Sequence, residues 1–183
     1  MCIRDSRYLI NMGKAIIFLD IDGVLATHKQ YMMNRTNFHH NYEWASDLGV
    51  PYPYDDKCVK VFNEILEKTD ADIVLSSDWR IRWDLEQLDK IFKSNNIIKS
   101  PIDVTEHFPY GGIQLEKWRA GEIDAYIKKH NIDNWVIVDD LNMKQFFPDD
   151  VTRVFVTTDS EGIKKSSIKD KIIKKLNTNE TNA

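Results

Sequence analysis

Apolar residues occur along this chain in short unbroken runs, separated by stretches in which they recur every three or four positions. Ile16-Ile17-Phe18-Leu19 has no polar interruption, which predicts a strand buried on both faces over Ala15 to Asp20. Ile73 to Ser76 and Trp135 to Asp139 repeat that pattern, Arg153 to Val156 supplies another strand, and Ile97-Ile98 predicts a short edge strand. Helices are predicted between them. Asp55-Asp56 can cap one that carries Val59, Phe62 and Leu66 on a single face. Asp78 can open a second with a stripe of Ile81, Leu85, Leu88 and Phe92. A third turns Ile123, Tyr126 and Ile127 inward, and the last carries Ile168, Ile172 and Leu176. Strands alternating with amphipathic helices predict an α/β fold: a three-layer α/β/α sandwich around a parallel central sheet, with right-handed crossovers.

Two segments escape the periodicity. Residues 26–55 are irregular and aromatic, with Tyr31, Phe38, Tyr42, Trp44, Tyr52 and Tyr54, and are too short for a second domain. We read them as a minimal lid whose aromatic residues form a small apolar core. Residues 100–116, with Pro101, Pro109 and Gly111-Gly112, form a second irregular stretch. Met1 to Asn11 has neither periodicity nor the apolar core of a signal peptide. It reads as a non-native or disordered extension ahead of the more natural start at Met12-Gly13-Lys14. Residues 12–176 then form one domain, and 177–183 a disordered tail. There is no internal repeat.

The 183 residues suffice for one core; 42% are hydrophobic and 30% charged, as in an ordinary soluble domain. A net charge of −4 supplies no global field that attracts nucleic acid, so any such contact must be local. Cys2 and Cys58 have no metal-type spacing and point to a reducing compartment, the cytoplasm. No apolar run approaches a membrane span. His28, His39 and His40 do not have the spacing of a zinc site.

Chemistry concentrates where the apolar runs end. Asp20 and Asp22 follow the first run, with Gly23 directly behind; Ser76-Ser77 follows the second; Asp139-Asp140 closes the run that begins at Trp135. Two carboxylates at the end of a buried strand repel each other and are costly to desolvate. A hard divalent cation offsets such charge, and the carboxyl end of a parallel strand is where α/β folds bind ligands. Asp and Gly are also common turn residues, so the first pair alone decides nothing. A basic segment, Lys117-Trp118-Arg119, opens the helix before Trp135.

In this order, Asp20-x-Asp22-Gly23-Val24-Leu25, Ser76, the cation near Arg119 and Asp139-Asp140 resemble the motifs of the haloacid dehalogenase (HAD) phosphohydrolase superfamily, over about Ala15 to Leu176. Leu75-Ser76-Ser77-x-Trp79-Arg80 and Arg119-x-Gly121-Glu122-Ile123 resemble, more narrowly, the small HAD domains of Swiss army knife RNA-repair proteins.

The resemblance implies a Rossmann-like sheet in the order 5-4-1-2-3 and a phosphomonoesterase dependent on Mg²⁺. Asp20 is then the nucleophile that forms an aspartyl-phosphate. Asp22 is the general acid and base, and its main-chain carbonyl is a metal ligand. Gly23 lets the backbone turn there. Ser76 would bind a phosphate oxygen, while Ser77 reads as a helix cap. Asp20, Asp139 and Asp140 complete the metal site, with Asn142 assisting.

The third-motif cation is Lys in most of the superfamily; here Arg119 or Lys117 must serve, and Arg is not a free substitute for Lys. Arg80 either reaches the substrate phosphate or is a solvated helix residue. The implied partners are nucleotides or phosphorylated nucleic-acid ends, with small sugar phosphates as another option, and there is no membrane partner. Two other readings compete: a phospho-acceptor regulatory domain, and a non-catalytic binding module of a repair complex. The chain has no Gly-x-x-x-x-Gly-Lys loop of a nucleotide kinase.

Overall fold

In a computed structural model, residues 14–30, 32, 54–108, 114–165 and 167–178 are described. The leading extension, most of the lid segment and most of the tail lie outside them. Five strands form one parallel sheet: β1 (Ile16–Leu19), β2 (Asp72–Leu75), β3 (Asp103–Val104), β4 (Trp135–Asp139) and β5 (Val154–Val156), in the order β3-β2-β1-β4-β5. This is the expected 5-4-1-2-3 arrangement. β1 occupies the centre and all four of its residues are fully buried, as its unbroken apolar run requires.

Side chains alternate between the two faces of a strand, and here they divide between two cores. Ile17, Leu19, Ile73, Leu75, Val136 and Val138 pack against α1 (Asp56–Thr69), α3 (Leu85–Ser94) and α5 (Ile168–Asn177). Ile16, Phe18, Val74 and Ile137 face α4 (Leu115–His130) through Ala120, Ile123 and Tyr126. Phe18 meets Tyr126 edge to face at 5.7 Å, a favoured aromatic geometry.

The predicted cap holds: the Asp55 carboxylate accepts from the backbone N–H groups of Lys57 and Cys58 at the start of α1. Val59, Phe62, Ile65 and Leu66 are buried on that helix, as are Ile168, Ile172 and Leu176 on α5.

Two predicted elements are corrected. The stretch after Asp78 is not one helix. α2 (Trp79–Arg82) is a single turn, Trp83 is extended, and Asp84 starts α3 afresh through a reciprocal capping box with Gln87. Ile81 and Leu85 therefore leave the stripe and are exposed, while Leu88, Ile91 and Phe92 stay inside.

The edge strand is not Ile97-Ile98. α3 ends with Asn96 at φ 60°, and the Ile97 N–H returns to the Phe92 carbonyl. β3 forms six residues later, paired to β2 through Val74↔Asp103 and Leu75↔Val104. A two-residue edge strand leaves no periodic signature in the irregular stretch that contains it. β5 begins at Val154, one residue later than expected, because Arg153 closes a 3₁₀ turn.

Candidate active site

Strand parity brings the predicted residues together. Phe18 is in register with Val74 on one side and Ile137 on the other, and all three face α4. Two residues further along each strand stand Asp20, Ser76 and Asp139. The ladder continues to them: the Ser76 N–H bonds the Leu19 carbonyl at 2.9 Å and the Asp20 N–H bonds the Val138 carbonyl at 3.0 Å. All three residues are buried at the carboxyl edge of the sheet.

Asp20, Asp139 and the half-buried Asp140 each offer a carboxylate oxygen within 4.8 Å of the others. Burial, then the charge of Asp20, pushes the Asp139 carboxyl well above the usual carboxylate range, against the opposing charge of Arg119. The same two causes in the same order, with Asp159 adding to them, raise Asp140 to about 6. Burial and the nearby charge thus make Asp139 and Asp140 costly to ionise. Hard oxygen donors at this separation suit a divalent ion such as Mg²⁺ or Ca²⁺.

The loop Ile21–Ala26 wraps tightly, with the N–H groups of Val24, Leu25 and Ala26 directed at the Ile21 carbonyl. Gly23 has φ +71°, a left-handed conformation that glycine adopts without strain. A Cβ at that position would stand 2.6 Å from Asp140 Oδ2, so the glycine also lets the loop close onto Asp140. Thr157 ties the pieces from beyond β5: its hydroxyl donates to the Gly23 carbonyl at 2.7 Å and its N–H to the Asp139 carbonyl at 2.9 Å.

The Asp22 carboxylate stands outside the acidic trio. It accepts from Trp79 Nε1 at 2.8 Å, and the indole is held between Tyr54 and Trp83 at ring separations of 5.6 and 4.8 Å. Only the main-chain carbonyl of Asp22 was expected to bind metal, so the separate placement of its carboxylate is compatible with that division.

Arg119 lies in the first turns of α4 and is buried against the sheet. Nη1 lies 3.3 Å from Asp20 Oδ1 and 3.1 Å from Asp139 Oδ2, and Nη2 donates to Asp78 Oδ1 at 2.9 Å. Lys117 is exposed on the same helix. Of the two candidate cations, the structure brings only Arg119 to the acids. The Ser76 hydroxyl is fully buried with no hydrogen-bond partner among the described residues, and such a group calls for one.

Arg80 does not have the solvated place that was one of its two expected roles: its side chain is 1% exposed. Its guanidinium is engaged mainly within the protein. Nη1 donates to the carbonyls of Ser76 and Ser77 at 2.6 Å, Nε to the Thr105 carbonyl at 3.1 Å, and Nη2 to Glu122 Oε2 at 2.5 Å. A guanidinium has five N–H donors in a fixed fork; this one directs two at the Ser76 and Ser77 carbonyls and the others named at Thr105 and Glu122, and so braces the turn that carries Ser76. Asp78 makes no helix cap and pairs with Arg119 instead. Asn142 accepts from the Lys144 N–H, supporting the following turn.

Sequence reasoning missed Asp78, Trp79, Glu122 and Thr157. One signal was present: Arg119 and Glu122 share the inward face of α4 with Ile123 and Tyr126, and charges on an apolar face need partners.

A family model described as the HAD domain in Swiss Army Knife RNA repair proteins matches residues 16–168. The chain belongs to that family. The match spans every strand of the HAD domain and all four site motifs. Domains of this superfamily are phosphatase-type and typically use a divalent metal, and the buried acidic cluster of this HAD domain can hold one. No curated protein and no solved structure matches the chain. No described helix is long and apolar enough to cross a membrane.

Proposed function

We propose that this HAD domain is a Mg²⁺-dependent phosphomonoesterase that works through an aspartyl-phosphate on Asp20, and that its substrates are nucleotides or phosphorylated nucleic-acid ends. The observation that carries this reading is the meeting of Asp20, Asp139 and Asp140 within 4.8 Å at the sheet edge, beside the unpartnered Ser76 hydroxyl. Asp20, Asp139 and Asp140 would hold the ion, with the Asp22 carbonyl as a further ligand. When bound, the ion neutralises charge between the attacking carboxylate and the phosphate.

In the first step a carboxylate oxygen of Asp20 attacks phosphorus, and the bond from phosphorus to the ester oxygen breaks. Asp22 gives its proton to that departing oxygen. In the second step Asp22 takes a proton from water, the water oxygen attacks phosphorus, and the Asp20–phosphorus bond breaks. Inorganic phosphate leaves and Asp20 is restored. Trp79 holds the Asp22 carboxylate through Nε1. Ser76 donates to a non-bridging phosphate oxygen. Arg119 orients Asp20 and neutralises charge as it moves between the carboxylate and the phosphate. The RNA-repair description of the family supports a nucleic-acid end as substrate.

Turnover of p-nitrophenyl phosphate tests the reading. Sustained phosphate release with Mg²⁺, its loss with a chelator, and an inactive but folded Asp20→Asn variant are expected. Wild-type rates from Asp20→Asn overturn the nucleophile assignment. A single stoichiometric labelling without turnover favours a phospho-acceptor domain instead.

A further inference from the structure

A lysine-rich surface of this acidic chain lies along the edge strand β5, next to the strand that carries Asp139. A groove of about 750 Å³ runs between the free side of β5 and α5. Val154, Phe155, Val156 and Ile168 lie on its floor, and Lys144, Lys165, Lys171, Lys174 and Lys175 line it together with neutral residues; no Asp or Glu does. Some neighbouring lysines pair with acids, as Lys164 with Asp55 and Lys169 with Glu64. Among the described residues, none of Lys144, Lys165, Lys171 and Lys174 has a carboxylate within 4.0 Å. Lysine on an edge strand can serve to deter self-pairing. Here β5 itself is Val-Phe-Val, and the lysines come from α5 and the flanking segments.

The groove also has a direction. Val156, at one end, is in register with Asp139, and the next residue, Thr157, bonds the Gly23 carbonyl. α5 runs antiparallel to the strands, so Lys165 lies towards the catalytic edge, Lys171 midway, and Lys174 and Lys175 towards Thr152 at the far end. Ten residues of helix make a track of about 15 Å. Cations in file above an apolar floor, leading to a phosphate-processing site, match the charge and shape of a single nucleic-acid strand.

We infer that this groove holds the backbone of an RNA strand whose terminal phosphate lies at Asp20. The inference rests on the proposed phosphomonoesterase and names how it takes its substrate. Lysines present point charges to phosphates, so recognition is of the backbone and not of sequence.

Fluorescence anisotropy with a labelled single-stranded RNA tests it, using the full chain, wild type and Lys171→Gln/Lys174→Gln, across a salt series. The double variant is expected to bind more than about tenfold more weakly at 0.1 M salt, with the salt slope shallower by about 0.7 for each phosphate no longer neutralised. Its p-nitrophenyl phosphate turnover is expected to be unchanged. Equal RNA affinity and equal salt slope in the two proteins overturn the inference, as does a wild-type dimer that the two substitutions dissociate, since the groove is then a self-interface. Lysine-dependent RNA binding by a protein that turns over no phosphoester supports the groove and sinks the catalytic reading alone. Normal turnover with RNA binding indifferent to the lysines sinks the groove alone.

Discussion

Arg119 and Lys117 stand two positions apart on one helix and have opposite surroundings. Arg119 is buried between Asp20, Asp139 and Asp78, whereas Lys117 faces solvent. Helical periodicity contains the reason: Arg119, Ile123 and Tyr126 are spaced at i, i+4 and i+7, one face of the helix, and Lys117 falls off it. Arg119→Ala is expected to lower kcat/KM on p-nitrophenyl phosphate by about 10²–10³, the scale of removing one preorganised donor. Lys117→Ala is expected to stay within about twofold, as for an ordinary surface change. Steady-state kinetics with circular dichroism as a fold check decides it, and a larger loss from Lys117→Ala moves the third motif there.

The main acids were legible in the same way, because each ends an apolar strand and strand parity then aims them together. Trp79 was not. A Trp after a Ser-Ser-Asp string carries no mark that its indole N–H will reach an aspartate 57 residues away. Only tertiary placement creates that bond.

At the scale of elements, Arg80 on α2 and Glu122 on α4 join the two segments that most resemble the RNA-repair HAD domains. Glu122 is 1% exposed. It takes Arg80 Nη2 on one oxygen and the Phe108 N–H, at 2.8 Å, on the other. Arg80 in turn holds the carbonyls of Ser76 and Ser77, so the pair fixes the turn that presents the Ser76 hydroxyl. Breaking a buried pair leaves an uncompensated charge. Glu122→Ala is therefore expected to destabilise the fold by about 3–5 kcal/mol. Urea titration measures this, and a double-mutant cycle with Arg80→Ala should show strong coupling. A Glu122→Ala cost below about 1 kcal/mol would show that the pair does not support the turn.

The same region shows where pattern reading ran out. The apolar spacing from Ile81 to Phe92 fits one helix, but the Asp84 capping box starts a new one, and a local cap outweighed a periodicity that was only approximate. β3, with two residues, was too short to have a period at all. The long elements, α1, α4, α5 and the buried strands, were legible because burying a whole face demands a regular pattern.

For the molecule as a whole, the acidic edge sets stability against function. Asp139 is raised well above its ordinary value and Asp140 to about 6, both chiefly by burial and then by Asp20. A carboxyl whose folded pKa exceeds its unfolded one binds more protons in the native state, so its contribution to stability falls as pH rises through the interval between the two values. For Asp140 that interval runs from 3.8 to about 6. Other carboxylates act in the opposite sense. Burial of Asp55 is more than offset by Lys164 and the helix N–H groups, which hold it low, so its contribution is lost in acid. A simple acid melt therefore mixes the two kinds of group.

The increment produced by metal isolates the site. A divalent ion must displace the proton on Asp140, so the Tm gain from Mg²⁺ should be small at pH 5 and grow through pH 6 to a plateau near pH 7. At one hundred times Kd the gain is about 2.7 kcal/mol, or about 5–10 °C for a chain of this size. Asp140→Asn should raise the metal-free Tm at pH 7, because it removes a part-buried carboxylate crowded by Asp20 and Asp159, and should abolish most of the Mg²⁺ gain. Differential scanning calorimetry at the three pH values, with and without Mg²⁺, reads both effects. A Mg²⁺ gain independent of pH, or one kept in full by Asp140→Asn, would place the ion away from this sheet edge, and the proposal that Asp20, Asp139 and Asp140 hold it for attack by Asp20 would fall with it.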